Sequence, residues 1–423
     1  MTNGSAWTAL RNPVFRKLWR ATVISGICVA AHDSAAIWSM NLLTASPFLI
    51  SLMSTAASLP FFLFTLPAGA LADKIDRRKL VCAINLWLAA TAIGLAVLGW
   101  LHLLNPYLIL VSVLFIGVGF AFNAPVWTSI VPQIVSDTEL PSAVILSGLQ
   151  LNLSGIVGPA LSALLVPLVG ANFVFALNAA CFLLVVLAAF EWKQSAAHAE
   201  LESENFFRSF GRFVRYVRYA HGLQVVLARN FLFALFISAI PALIPVVGLR
   251  VLHLGPTHFG LLLTSMGAGS IFGAVFIFPR LRARFSPDSL TLWANLLLTA
   301  AYVLMALVRR TEAFFIVAAL AGMGWTLSAS ELWVAAQRAM PSWGRGRMNA
   351  AVMMISQGAI VVGGTIWGSV AAVAGASYAL LWAAVLFLVS LFLAGRLSIN
   401  FTRNLGATPQ ESLESSRDQL IAG

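Results

Sequence analysis

The chain has 423 residues, of which 60% are hydrophobic and only 10% charged, and its net charge is +11. Soluble domains carry about 25% charged residues, so this composition excludes an ordinary soluble enzyme or binding module. The basic balance would also suit a nucleic-acid binder, but loop cations that orient membrane helices account for it better, and no nucleic-acid partner is expected.

Long apolar segments match the roughly 20 helical residues needed to cross a ~30 Å hydrocarbon core. The short alternating segments of a spanning barrel are not seen. The expected fold class is therefore an all-α membrane protein. Its twelve spans fall near residues 19–43, 47–71, 80–103, 106–130, 139–166, 171–192, 223–251, 257–279, 288–308, 313–337, 346–371 and 376–398. Ser46-Pro47, Asn105-Pro106, Gly255-Pro256 and Ser286-Pro287 punctuate them. The first segment follows Arg11, Arg16, Lys17 and Arg20 and so mimics a signal peptide. No A-x-A-like cleavage site follows it, and Asp33 and Trp38 lengthen it, so it reads as the first helix.

Twelve spans sort the cations strongly. Of the 26 Lys and Arg residues, 23 fall on the side of the termini and three, Arg250, Arg309 and Arg310, on the other. This positive-inside asymmetry predicts a multi-pass membrane protein with both termini cytoplasmic. The expected organisation is an N-terminal six-helix half over 1–192, a linker over 193–222, a C-terminal six-helix half over 223–398 and a polar, disordered tail over 399–423. In the linker, Phe206, Phe207, Phe210, Phe213, Val214 and Val217 share one helical face, and Arg208, Arg212, Arg215 and Arg218 take the other. That pattern predicts a basic amphipathic helix on the lipid surface, or one packed on protein. The halves resemble each other at an offset of 205: Gly158 matches Gly363, Gly170-Ala171 matches Gly375-Ala376, and Arg77 matches Arg282. Two such halves are a transporter architecture with the substrate site between them.

Cys28, Cys82 and Cys181 all sit in apolar segments and read as small core residues. His253 and His258 do not make a metal site, no P-loop or nucleophile–base set is present, and neither a cofactor nor an enzyme activity is expected.

The connection between spans two and three reads Gly69-Ala70-Leu71-Ala72-Asp73-Lys74-Ile75-Asp76-Arg77-Arg78-Lys79. It resembles the G-x-L-a-D-r-x-G-r-r signature of the major facilitator superfamily, with Asp76 where that pattern has its second glycine. Gly69 would permit close helix approach, Asp73 would accept from a neighbouring helix N-terminus, and Arg77 and Arg78 would pair across the halves as a gate. Span five carries Gly158-Pro159 within Ser154 to Ala163, similar to a degenerate antiporter motif that implies export. Together with Asp33 in His32 to Trp38 and with Gly344 to Arg347, these residues look like the bacterial branch that includes the enterobactin exporter and macrolide efflux proteins. Span four lacks the arginine found in many proton-driven drug antiporters, so that relay does not carry over.

The resemblance places spans one, four, seven and ten around a central cavity. The two acids deep in apolar segments, Asp33 in span one and Glu331 in span ten, both fall on those spans. A carboxylate in hydrocarbon costs about 2.5–3.5 kcal/mol on insertion scales, so each is expected to face protein or water. Helical phase groups Thr22, Ser25, Asp33 and Met40 on span one, Ser112, Gly119 and Asn123 on span four, and Gly324, Ser328, Glu331 and Arg338 on span ten. Asp33 is expected to bind a cationic substrate group or a proton. Asn123, Trp127, Trp38 and Ser328 are candidate substrate contacts, and Glu331 is a gate partner of Arg338 or Arg347. These readings predict a monomeric secondary transporter that exports a small amphipathic molecule in exchange for protons. The alternatives are an importer or uncoupled facilitator of the same fold, and a non-transporting membrane receptor or assembly partner.

Overall fold

The computed structural model describes residues 7–72, 75–190, 221–340 and 345–394, with Arg218 and Ile399. The surface helix expected at 206–217, the polar tail beyond Ile399 and Asp73 lie outside the described residues. After a 3-10 turn at Thr8–Arg11 come α1 (Pro13–Leu43), α2 (Pro47–Ala72), α3 (Arg77–Trp100), α4 (Pro106–Ile134), α5 (Leu140–Val169) and α6 (Ala171–Phe190). The second half holds α7 (Gly222–Val251), α8 (Pro256–Arg282), α9 (Pro287–Leu307), α10 (Thr311–Ala339), α11 (Arg345–Ala374) and α12 (Ala376–Ala394). Eleven of these are long and apolar enough to cross a membrane, and the twelfth is a shorter apolar helix.

Helix boundaries follow local chemistry. Asn12 caps α1, its side chain accepting from the Val14 and Phe15 amides, with Pro13 in the first turn. Asn105 before Pro106 and Ser286 before Pro287 cap α4 and α9 the same way. Asp76 caps α3 by accepting from the Arg78 and Lys79 amides, which gives the non-glycine residue at that position a structural use. Gly170 (φ 83°) and Gly375 (φ 92°) turn the chain into α6 and α12 in a conformation that disfavours other residues. These two glycines are 205 residues apart, as are the starts of α4 and α10, of α5 and α11, and of α6 and α12. The sequence repeat is thus a structural repeat.

Packing obeys the same pairing. In the first half α1 packs on α5 and α6, α2 on α4, and α3 on α4 and α6. In the second half α7 packs on α11, α8 on α10, and α9 on α10 and α12. The halves meet mainly along two seams, α2 against α11 and α5 against α8, with a smaller contact of α2 on the Ala239–Val246 segment of α7. Helix α7 is broken near Ser238, between two segments, and Pro241 and Pro245 deprive the following stretch of backbone donors. Side chains repair the break: Tyr302 Oη donates to the Phe236 carbonyl (2.9 Å) and Trp367 Nε1 to the Leu235 carbonyl (3.1 Å).

Call the end that carries Arg77–Lys79 the basic end and the opposite one the far end. One buried core joins the two halves: its first-half members, such as Ala36, Met40, Ile50 and Met53, lie toward the far end, and in the second half it runs from Leu243 and Val247 down to Leu223, Ala335 and Met340. At the basic end the first half keeps two cores of its own, one around Leu88 and Phe182 and one around Phe15 and Leu146. The seams show the same polarity. Gly368 meets Phe48 and Ser51, Gly364 meets Ser54 and Thr55, and Gly358 meets Phe62, but nothing lies within 4 Å of a Cβ placed on Gly69. The molecule is closed at the far end, and its two halves stand apart toward the basic end.

Candidate functional site

Helix α1 sets the site. Its Gly26 and Ala30 side meets Ser154 and Gly158 of α5, and its Cys28 and His32 side meets Cys181 and Phe175 of α6. Ile24, 46% exposed, lies outside these contacts. Asp33 is nine residues further on, which at 3.6 residues per turn is about half a revolution away. It is exposed, and it has no hydrogen-bonding or ionic partner among the described residues. Met40 shares its face one heptad on and is wholly buried in the core common to both halves. Asp33 therefore sits directly beneath the far-end closure, on the side that opens toward the basic end.

Behind Asp33 the α1–α6 contact is unusual. His32 and Asn178 are both fully buried, and none of their four ring or amide polar atoms has a partner. His32 packs on the Phe175 ring, centroids 4.7 Å apart. Cys28 Sγ approaches Cys181 Sγ to 2.9 Å one turn away, and both are free thiols.

Several expected contacts take other roles. Ser328 does not face the space between the halves. It is fully buried and donates to Asn295 Oδ1 on α9 (2.8 Å), and Gly324 on the same face is pressed against Leu298. This face of α10 is a packing face, and the half-buried Thr326 and Ser330 and the exposed Trp333 lie roughly opposite. Asn123 is half-buried on the side of α4 where Gly119 meets Leu88 and where Ile116, Val126 and Ile130 enter the first-half core. Trp127 packs against both first-half cores with its Nε1 buried and unpartnered. Among the described residues, the exposed ones of this stretch of α4 are Ala124 and Thr128. Trp38 is half-buried against the shared far-end core, five residues past Asp33.

Glu331 is 1% exposed, and its partner is Arg282 at the end of α8, Nε to Oε1 3.1 Å, off the line of a hydrogen bond. Arg282 also lies over the Phe278 ring at 5.6 Å. The expected partner Arg338 is exposed, and the side chain of Arg347 lies outside the described residues. Because α8 and α10 belong to one half, this ion pair holds a half together and does not bridge the two. Arg78 behaves likewise, donating to the Phe190 carbonyl at the C-terminus of α6 (2.5 Å) over the Phe190 ring. Arg77 is half-buried at the start of α3. Gly69 makes no close approach in this state.

The Gly158-Pro159 pair does lie at a seam. A Cβ on Gly158 would stand 2.4 Å from Ala30 Cβ of α1, and one on Gly260 of α8 would stand 2.6 Å from the Pro159 carbonyl. Sequence reasoning missed Gly260, and it took Gly267 only as a packing glycine, Arg282 only as the repeat mate of Arg77 and Arg250 only as one of the few far-side cations. Arg250 reaches from the end of α7 to two backbone carbonyls at the end of α1. Its signal was available, as a cation on the side nearly free of them.

Solved structures share this fold. A bacterial homologue of the human lysosomal transporter Spinster, inward-facing and occupied, superposes with a TM-score of 0.73 at 13% identity, covering 92% of this chain and 97% of that one. A bacterial homologue of the iron transporter ferroportin, also inward-facing, gives 0.69 at 15% identity over 90% and 98%. Among curated relatives, Macrolide efflux protein A of Streptococcus pyogenes is 23% identical over 265 residues, 62% of this chain and 65% of that protein. The counterpart from Enterococcus faecalis is 23% identical over 227 residues, 53% of this chain and 70% of that protein. The match thus spans just under two thirds of the length of the streptococcal relative. Residues 4–421 match the family MFS_3, transmembrane secretion effector, and the chain belongs to that family of membrane transporters.

Proposed function

We propose that this protein is a proton-driven exporter of a small, amphipathic, cation-bearing molecule, working by alternating access as a monomer in a bacterial inner membrane. The basic end is the cytoplasmic end on this reading, so the arrangement in hand is open to the cytoplasm. The observation that carries the reading is Asp33: an exposed, unpartnered acid in the middle of a spanning helix, under the closed end of the space between the halves. The relatives named for macrolide efflux support export. Glu331 offers no competing site, since it is sealed and paired with Arg282.

One carboxyl group can hold a proton or balance a cation, and not both at full strength. Facing the cytoplasm, a protonated Asp33 gives up its proton as the ammonium of the substrate arrives, leaving a neutral ion pair. Facing outward, a proton takes the oxygen and the substrate leaves. For a monocation the exchange moves one charge each way and is electroneutral. The apolar walls take the rest of the molecule.

The test is a substrate screen in an efflux-deficient host, followed by transport in everted vesicles loaded with a pH reporter. Substrate-dependent proton movement is expected with Asp33 and absent with Asp33→Asn at equal protein level. Full proton-linked transport by Asp33→Asn would overturn the reading.

A further inference from the structure

We propose that Arg250 is the far-side gate residue: it latches the end of α7 to the end of α1, and it must let go before the site can open outward. This rests on the alternating-access reading given above.

Arg250 lies in the last turn of α7, in a π-helical stretch, Val247–Val251. Its Nη2 donates to the Asn41 carbonyl (2.7 Å) and to the Thr44 carbonyl. Helix α1 ends at Leu43 with Thr44 as its cap residue. The last carbonyls of a helix have no amide donors of their own and carry the negative end of its dipole. A guanidinium from the opposite half therefore supplies the C-terminal cap that α1 lacks, through charge-assisted bonds stronger than neutral ones.

Two further features mark this as a contact made to open. Cross-half hydrogen bonding is sparse. Besides Arg250, the described bond is Thr264 Oγ1 to the Ile156 carbonyl at 3.3 Å, and the far-end cation Arg309 bonds Ser377 within its own half. At the latch itself Arg250 Nε and Asn41 Oδ1, a donor and an acceptor, are both buried and unused. One guanidinium nitrogen carries the joint while these two groups stay unpaired, so the latch does not use all the donors and acceptors that its residues bring. The same rod also bears Asp33. Asn41 is eight residues from it, about 12 Å along the helix. A tilt of α1 that follows occupancy of Asp33 arrives at the latch undiminished, which gives the gate a mechanical link to the site.

Met40 supplies the reporter. It is fully buried beneath the far-end closure, on the Asp33 face of α1. In protein with Cys28, Cys82 and Cys181 replaced and Met40→Cys introduced, a membrane-impermeant maleimide is applied to the far end in right-side-out vesicles. The labelling rate should rise at least about fivefold in Arg250→Met and Arg250→Gln, with Arg250→Lys in between, as expected for loss of charge-assisted caps. Three substitutions, each checked for folding by thermal melting, guard against one that misfolds. An unchanged rate in folded Met and Gln variants would overturn the latch. The readout needs no substrate, so the two ideas can fail separately. Faster labelling together with Asp33-independent transport keeps the latch and sinks the proposed function, while unchanged labelling together with Asp33-dependent transport does the reverse.

Discussion

Replacing Gly267 with alanine is the most direct test of how the halves are joined. A Cβ at 267 would lie 2.5 Å from the Gly155 carbonyl oxygen, 3.1 Å from the Gly155 carbonyl carbon and 3.3 Å from Ile156 Cγ1. Non-bonded carbon and oxygen settle near 3.5 Å, so the shortfall is about 1 Å. The obstructing atoms are backbone of α5, so no rotamer change relieves them and the two helices must part by about that distance. Overpacking of this kind costs about 1–3 kcal/mol, which falls only on the state in which α5 and α8 touch at this depth. If outward opening separates them there, Gly267→Ala shifts the balance about 5- to 150-fold toward the outward form. Gly69→Ala is the control, because no atom lies within 4 Å of a Cβ there. It should be neutral within about 0.5 kcal/mol, or slightly stabilising through helix propensity. Both variants are to be compared by thermal unfolding in detergent and by labelling of Met40→Cys from the far end. Equal melting temperatures and equal labelling for Gly267→Ala and Gly69→Ala would refute the reasoning.

Other substitutions separate packing from mechanism. Glu331→Gln leaves Arg282 without its buried partner; since Arg282 is 35% exposed, the loss should be about 1–3 kcal/mol and not the larger figure for a fully buried pair. The double variant with Arg282→Gln should lose less than the sum of the singles, and strict additivity in a melting series would show that the two do not interact. Arg338→Gln, at an exposed position, should leave stability and transport within error of the parent. His32→Leu removes an unpaired buried imidazole and should raise the melting point by the equivalent of about 1–2 kcal/mol. A lower melting point would mean that the ring has a bonded role.

Fold and depth were legible in this sequence, and helix orientation within a half was not. Span boundaries rest on apolar length and on caps such as Asn12-Pro13 and Ser286-Pro287, which are local properties. The 205-residue repeat follows from glycines at 170 and 375 that both need positive φ, again a local demand. The expected cavity faces of α4 and α10 failed for one shared reason. Gly119 with Asn123, and Gly324 with Ser328, form faces of small and polar residues. In a membrane protein those residues also mark where backbones approach and where side chains bond between helices. A helical wheel shows that residues share a face and cannot show which neighbour that face meets. Arg282, noted as the repeat mate of Arg77, was not recognised as the partner of Glu331 because its neighbours Arg280 and Arg284 made it look like one more orienting cation. Asp33 rests on a different argument, because an acid cannot serve as packing material in hydrocarbon: its cost alone demanded water or a partner.

The Gly158-Pro159 seam shows how a few residues can make a joint firm in one state and free of it in another. Pro159 has no N–H, so the Gly155 carbonyl one turn earlier cannot take its usual helical donor. That oxygen faces α8 at Gly267, where only a residue without a side chain lets the backbones come so close. Gly260 does the same for the Pro159 carbonyl, and Thr264, between them, donates to the Ile156 carbonyl. Proline thus frees an acceptor on one half, and glycine on the other half clears a path to it. The contacts that result are Cα–H···O approaches and one long hydrogen bond, each worth about 1 kcal/mol or less. A seam of many weak bonds seals well when aligned and parts without any single large loss. The stronger charged joint at Arg250 is confined to the far rim, the end that must stay shut while Asp33 faces the basic side.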